Sequence, residues 1–169
     1  LIALNSPKLA KTIKTTAVRL GDYVSSESCF HASKGLKTLK LRIEKHSENA
    51  EKVFKYLKTK KIVNKIFYLP DHTNKFHKLW KKYHKLNNGL ITFSIQKKKN
   101  INLFIDKLNL FKIGFSWGGY ESLILPIEKL KPAKKMSKKN EYWFRIHVGL
   151  ESYSDLINDL EKAFRNYED

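Results

Sequence analysis

The chain has 169 residues, 41% of them hydrophobic and 12% aromatic, which excludes a disordered polymer and allows one domain with a sizeable core. Its one cysteine, Cys29, excludes an internal disulfide and suits a reducing, cytoplasmic setting, and no apolar run approaches the ~20 residues that would span a bilayer. The net charge of +18 is carried by lysine, with only Arg19, Arg42, Arg145 and Arg165 as arginines, so the scattered cations lack the Arg-rich, aromatic-interleaved pattern of a specific nucleic-acid site.

Ser6-Pro7 places a capping hydroxyl before a proline, and Leu9, Ile13, Ala17 and Leu20 follow at helical spacing until Gly21. A second helical start at Ser25-Ser26-Glu27 leads to about Thr59, interrupted at Gly35, with Leu36, Leu39, Ile43, Ala50, Val53 and Leu57 on one face. His46 is expected there as a half-exposed structural histidine. Ile62–Tyr68 reads as a strand closed by Pro70. Asn74–Lys85 reads as a helix with Phe76, Leu79, Trp80 and Tyr83 on one face. Its neighbours His72, His77 and His84 have no Cys, Asp or Glu at metal-ligand spacing, so no metal is expected.

Asn87-Asn88-Gly89 turns into an alternating strand, Leu90–Ile95, followed by a short helix over Asn100–Leu108 and a strand over Phe111–Phe115. The next stretch, Gly114-Phe115-Ser116-Trp117-Gly118-Gly119-Tyr120-Glu121-Ser122, joins that strand to Leu123–Pro126. Its three glycines permit positive φ and close backbone approach to a ligand. Two readings stay open: a rim presenting a hydroxyl and an indole, or a tight hairpin with a buried Trp. The lysine cluster Lys129–Lys139 is expected to be an exposed loop.

In Tyr142–Val148 a period of two sets Trp143, Arg145 and His147 on one face and Phe144, Ile146 and Val148 on the other. Arginine within so apolar a strand, in a chain that otherwise uses lysine, is read either as a planar fork for a carboxylate or as half of an internal salt bridge. Ser152-Tyr153-Ser154-Asp155 is expected to cap a last helix carrying Leu156, Ile157, Leu160 and Phe164. The element order gives an α+β domain with a mostly antiparallel sheet covered by helices.

Taken together, Ser116-Trp117-Gly118-Gly119-Tyr120-Glu121-Ser122-Leu123 and Arg145-Ile146-His147-Val148-Gly149-Leu150-Glu151 resemble two linked motifs of the pyridoxal-phosphate-dependent transsulfuration enzymes (the Cys/Met metabolism family). Lys34-Gly35-Leu36-Lys37-Thr38-Leu39, Arg42, His46, His77, Trp80, Gly89-Leu90 and Asp155-Leu156-Ile157-Asn158-Asp159-Leu160 fall in step with the same family, with Lys34 and Lys37 where it commonly has Arg. Within the family the wording is nearest to cystathionine β-lyase, with cystathionine γ-synthase or γ-lyase as the alternative. A basic nucleic-acid-binding module is the alternative from another class.

The resemblance implies the C-terminal small domain of a fold-type I pyridoxal-phosphate-dependent enzyme. Residues 1–60 would form a helical linker from a cofactor-binding domain, and residues 61–169 an α/β subdomain. It implies pyridoxal 5'-phosphate as cofactor, L-cystathionine as substrate, and homocysteine, pyruvate and ammonia as products. A homotetramer and a separately encoded N-terminal half are the implied partners, with no membrane partner. By the same resemblance Arg145 would clasp the substrate carboxylate, the backbone N–H of Trp117 would assist, and Ser116 would lie beside the Schiff-base lysine. That lysine's motif has no counterpart in this sequence, so no catalytic residue is expected here and the chain is expected to be an inactive C-terminal portion when alone.

Overall fold

The computed structural model describes residues 2–127 and 140–169, and the lysine cluster expected as a loop lies outside them. The described elements are α1 (Pro7–Arg19), α2 (Ser26–Lys37), α3 (Leu39–Thr59), β1 (Val63–Phe67), α4 (His77–Tyr83), β2 (Leu90–Gln96), α5 (Asn102–Ile105), β3 (Lys112–Ile113), β4 (Leu123–Pro126), β5 (Glu141–His147) and α6 (Tyr153–Glu168). They fall into two compact units, Leu1–Leu39 and Lys40–Asp169.

The first unit is two helices with defined ends. Ser6 accepts the Leu9 N–H at 3.3 Å and Pro7 occupies the first turn of α1. The helix stops in a Schellman arrangement: Gly21, at φ +67°, donates to the Val18 carbonyl, and Asp22 to that of Ala17. Ser25 caps α2 by accepting the Ser28 N–H at 3.1 Å. The expected interruption at Gly35 falls instead at Thr38, the last residue before α3. Glycine weakens a helix interior by only ~1 kcal/mol, which flanking turns absorb.

The second unit is a five-stranded sheet in the order β1-β2-β5-β4-β3. β1–β2, β2–β5 and β5–β4 are antiparallel, so β5 is central and paired on both sides. β3 pairs with β4 in parallel, Lys112 opposite Leu123 and Ile113 opposite Ile124. The hairpin reading of the glycine stretch is therefore corrected: residues 114–122 form a crossover loop. The sequence signal was two apolar runs around a turn, and that signal is blind to strand direction.

One sheet face carries Ile91, Phe93, Ile124, Phe144 and Ile146, packed with Ala50, Val53 and Leu57 of α3 and Leu156, Leu160, Ala163, Phe164 and Tyr167 of α6. Phe104 joins them, its ring 4.9 Å from Phe164 and 5.2 Å from Phe144. Each such fully buried ring stabilises the fold by roughly 2–3 kcal/mol relative to exposure. The opposite face, along one cross-strand row, carries Phe67, Thr92, Arg145 and Leu125.

Two further expectations are corrected. Ser152 makes no capping bond to α6; its Oγ lies 2.6 Å from that of Ser154. His46 is buried rather than half-exposed, and its Nδ1 donates to the Val148 carbonyl at 2.8 Å.

Asp159 of α6 organises the approach to β3. Its carboxylate is buried and accepts the N–H groups of Asn109 (2.8 Å), Leu110 (2.9 Å) and Phe111 (3.1 Å). Glu161, two residues along the same helix, accepts from Lys60 and from Tyr56 (2.5 Å), tying α6 to the end of α3.

Candidate functional site

The crossover loop and the end of β5 build the site. Loop residues Phe115, Trp117 and Tyr120 are 78%, 56% and 75% exposed, so the alternative of a buried Trp117 is excluded and the indole is presented outward. Gly118 has φ +86°, a conformation that side chains with a Cβ adopt only with strain.

The loop is held from outside itself. Ser122, fully buried, gives its N–H to Glu151 Oε1 at 2.7 Å and its Oγ–H to Glu151 Oε2 at 2.9 Å, while that Oγ accepts the Gly149 N–H at 2.8 Å. Leu150 N–H donates to the Tyr120 carbonyl at 2.8 Å. Gly149 has to be a glycine: a Cβ would overlap the Tyr120 carbonyl oxygen and lie 2.6 Å from the Glu121 carbonyl carbon. From α3, Asn49 donates to the carbonyls of Gly149 (2.9 Å) and Glu151 (2.8 Å).

Arg145, in the central strand, donates from Nη2 to the Phe115 carbonyl at 2.5 Å, and Ser116 follows directly in the chain. Among the described residues no carboxylate pairs with Arg145, so the internal-salt-bridge reading finds no partner among them. One bond orients the planar guanidinium and leaves its other N–H donors without a partner among the described residues. Two residues along, His147 is buried with Nε2 facing the Gly118 N–H at 3.1 Å and the Gly119 carbonyl at 3.2 Å. Burial pushes its pKa down from the ordinary imidazole value, so the ring is neutral near pH 7.

Sequence reading placed Arg145, Ser116 and Trp117 in one site but missed Glu151, Ser122, His147 and Asn49 as the groups that hold it. Ser122 and Glu151 stand inside the two motifs, yet a carboxylate and a hydroxyl 29 positions apart carry no mark of their contact. The residues around the loop do not make a cradle for pyridoxal phosphate. Glu151, an acid that could otherwise face a pyridine nitrogen, is committed with both oxygens to Ser122.

A small sheet with helices packed on one face, and an arginine-bearing central strand crossed by a glycine loop, defines the small domain of a fold-type I pyridoxal-phosphate-dependent enzyme. The cystathionine gamma synthase of Xanthomonas oryzae pv. oryzae, solved in complex with cystathionine, superimposes with TM-score 0.87 at 25% identity over 98% of this chain and 45% of that one. The chain belongs to the Cys/Met metabolism PLP-dependent enzyme family, whose profile it matches over residues 1–165. Curated relatives include the L-alanine/L-glutamate racemase of Wolbachia pipientis wMel, 35% identical over 85% of this chain and 37% of its own. They also include the cystathionine beta-lyase of Escherichia coli, 32% identical over 90% of this chain and 40% of its own. The chain thus spans about two-fifths of the length of the curated relatives it matches.

Proposed function

We propose that this chain forms the substrate-carboxylate end of a pyridoxal-phosphate-dependent carbon–sulfur lyase acting on L-cystathionine, of the β-lyase type. The observation that carries the reading is Arg145: a guanidinium oriented by the Phe115 carbonyl, two residues before the exposed Trp117, and without a carboxylate partner among the described residues. A planar fork with spare donors matches a carboxylate in two parallel bonds. Ser116 and the Trp117 backbone N–H then face the same substrate group. The cofactor, when bound, supplies the electron sink; the role of these residues is to bind and orient the amino acid so that its α-substituents present correctly. In this reading residues 1–60 lead in from a cofactor-binding domain, which either precedes this sequence in the same polypeptide or is separately encoded, and the assembly is a homotetramer.

The racemase relative favours a second reading, because a carboxylate fork serves any amino-acid substrate and does not choose between carbon–sulfur cleavage and racemisation. The cofactor-binding portion of a cystathionine β-lyase, supplied in trans, separates the two. Pyruvate release from L-cystathionine that is abolished by Arg145→Ala supports the proposal. Racemisation of L-alanine without pyruvate release supports the alternative, and neither activity with a demonstrably assembled complex refutes both.

A further inference from the structure

We propose that His147 and Glu151 are positioning residues for the carboxylate end of the site, clamping the 114–122 loop at its middle and its end so that Ser116 and Trp117 stand beside Arg145. The inference rests on the reading above for what the loop does, though not for how the loop is held.

The loop lacks regular secondary structure, and its aromatic side chains lie outside, so burial of its own surface does not fix its shape. Polar bonds do. At its end, Glu151, Ser122 and Gly149 form a closed ring in which both carboxylate oxygens, the hydroxyl and two backbone N–H groups are all engaged. Asn49, itself fully buried, fixes the backbone of that ring from α3. A carboxylate accepting two well-aligned bonds from one residue sets position as well as energy.

At the middle, the Gly118 N–H faces His147 Nε2, which is therefore the unprotonated nitrogen, with the ring proton on Nδ1. A protonated ring would carry N–H at Nε2, lose Gly118 and donate to the Gly119 carbonyl instead, moving the grip by one residue. The groups around the ring are few. Burial is the main influence lowering its pKa and His46 of α3 (ring centroids 4.8 Å apart) acts in the same direction, while the Gly119 carbonyl, Glu121 and Glu151 oppose them. From the turn before β2, Gly89 approaches the ring and brings no titratable side chain. Both clamp residues are buried or committed to the protein, so they act through the loop rather than on substrate.

The test uses the 169-residue chain, amide exchange by NMR and L-cystathionine as the probe, with Glu151→Gln, His147→Phe and the milder Ser122→Ala as variants. Glu151→Gln and Ser122→Ala are expected to speed exchange at the 149 and 122 region, and His147→Phe at Gly118, by about tenfold or more, the equivalent of one lost net hydrogen bond. The β2–β5 ladder amides should be unchanged. In the wild type, Gly118 exchange should gain an added step as His147 protonates, a step that vanishes in His147→Phe. L-Cystathionine binding, followed at the Trp117 indole and the Arg145 Nε–H, should weaken about fivefold or more in the Glu151 and His147 variants while the fold persists. Loop amides as protected as in the wild type overturn the inference, as does acceleration shared equally by the ladder, which marks a purely structural role. Released loops with undiminished binding overturn it as well. If the wild type and Arg145→Lys bind L-cystathionine equally, the proposed function fails, and the exchange pattern alone then decides whether the clamps exist.

Discussion

Replacing Asp159 tests whether one buried carboxylate sets the entry into β3. Asp159→Ala removes the acceptor of three N–H···O bonds at 2.8, 2.9 and 3.1 Å. Hydrogen bonds to a charged acceptor are worth ~1.5–3 kcal/mol each when isolated, but three that share one carboxylate are not additive, and the freed 109–111 amides recover part of the loss by turning to water. The net expectation is a loss of about 3–4 kcal/mol, large against the 5–15 kcal/mol of a typical domain. Asp159→Asn keeps the shape but turns an NH2 group towards at least one of the same donors, so it should recover no more than about half of that loss. Urea unfolding at pH 7, with a slope of roughly 2 kcal/mol/M, reads the Ala variant as a midpoint lowered by about 1.5–2 M. A midpoint shift below about 0.5 M for Ala, or wild-type stability for Asn, would falsify the account. The amides of Asn109, Leu110 and Phe111 should lose protection first, because each donates to an oxygen that Asp159→Ala removes.

The next two predictions use the same unfolding assay. Hydrogen bonds from Lys60 and Tyr56 hold Glu161 at a pKa of about 2, below the 4.5 of an ordinary glutamate. Its contribution is thus fully present above pH 4.5 and is lost as pH falls towards 2; with a side chain 27% exposed it amounts to about 1–2 kcal/mol after solvent screening. Glu161→Gln should therefore flatten the stability difference between pH 6 and pH 2.5 by that amount, and an unchanged difference refutes the linkage. Gly149→Ala, with its Cβ pressed on the backbone of Tyr120 and Glu121, should cost more than about 2 kcal/mol, whereas Gly118→Ala, which meets nothing within 4 Å, should cost only the ~1 kcal/mol of its positive φ. Equal effects at the two glycines would show that the crowding is not real. Binding to DNA or RNA should be weak, blind to sequence and steeply salt-dependent; sequence-selective retention at physiological salt contradicts this.

Much of the fold and part of the site were legible in the sequence. Alternation along Tyr142–Val148 located the central strand and placed Phe144 and Ile146 on the core face, because a period of two is a purely local property. The caps at Ser6 and Ser25 and the stop at Gly21 were readable for the same reason, since each is satisfied within a few residues. The two motifs around Ser116 and Arg145 marked the family.

What the sequence could not state were facts made by long-range pairing. The parallel match of β3 with β4 turned an expected hairpin into a crossover, because strand direction is set by what each strand pairs with. His46 went from surface to interior only when Val148, 102 positions away, came to stand over it. Ser122 and Glu151, 29 positions apart, became one ring, and Asp159 became the anchor of a turn 48 to 50 positions upstream. By itself the sequence determined which segments are helix and strand, which face is apolar and which family the chain belongs to, since propensity, periodicity and motif wording are all local. Only the tertiary structure decided which buried polar groups find each other, because a polar group taken from water must be matched by whatever partner the completed packing brings within about 3 Å.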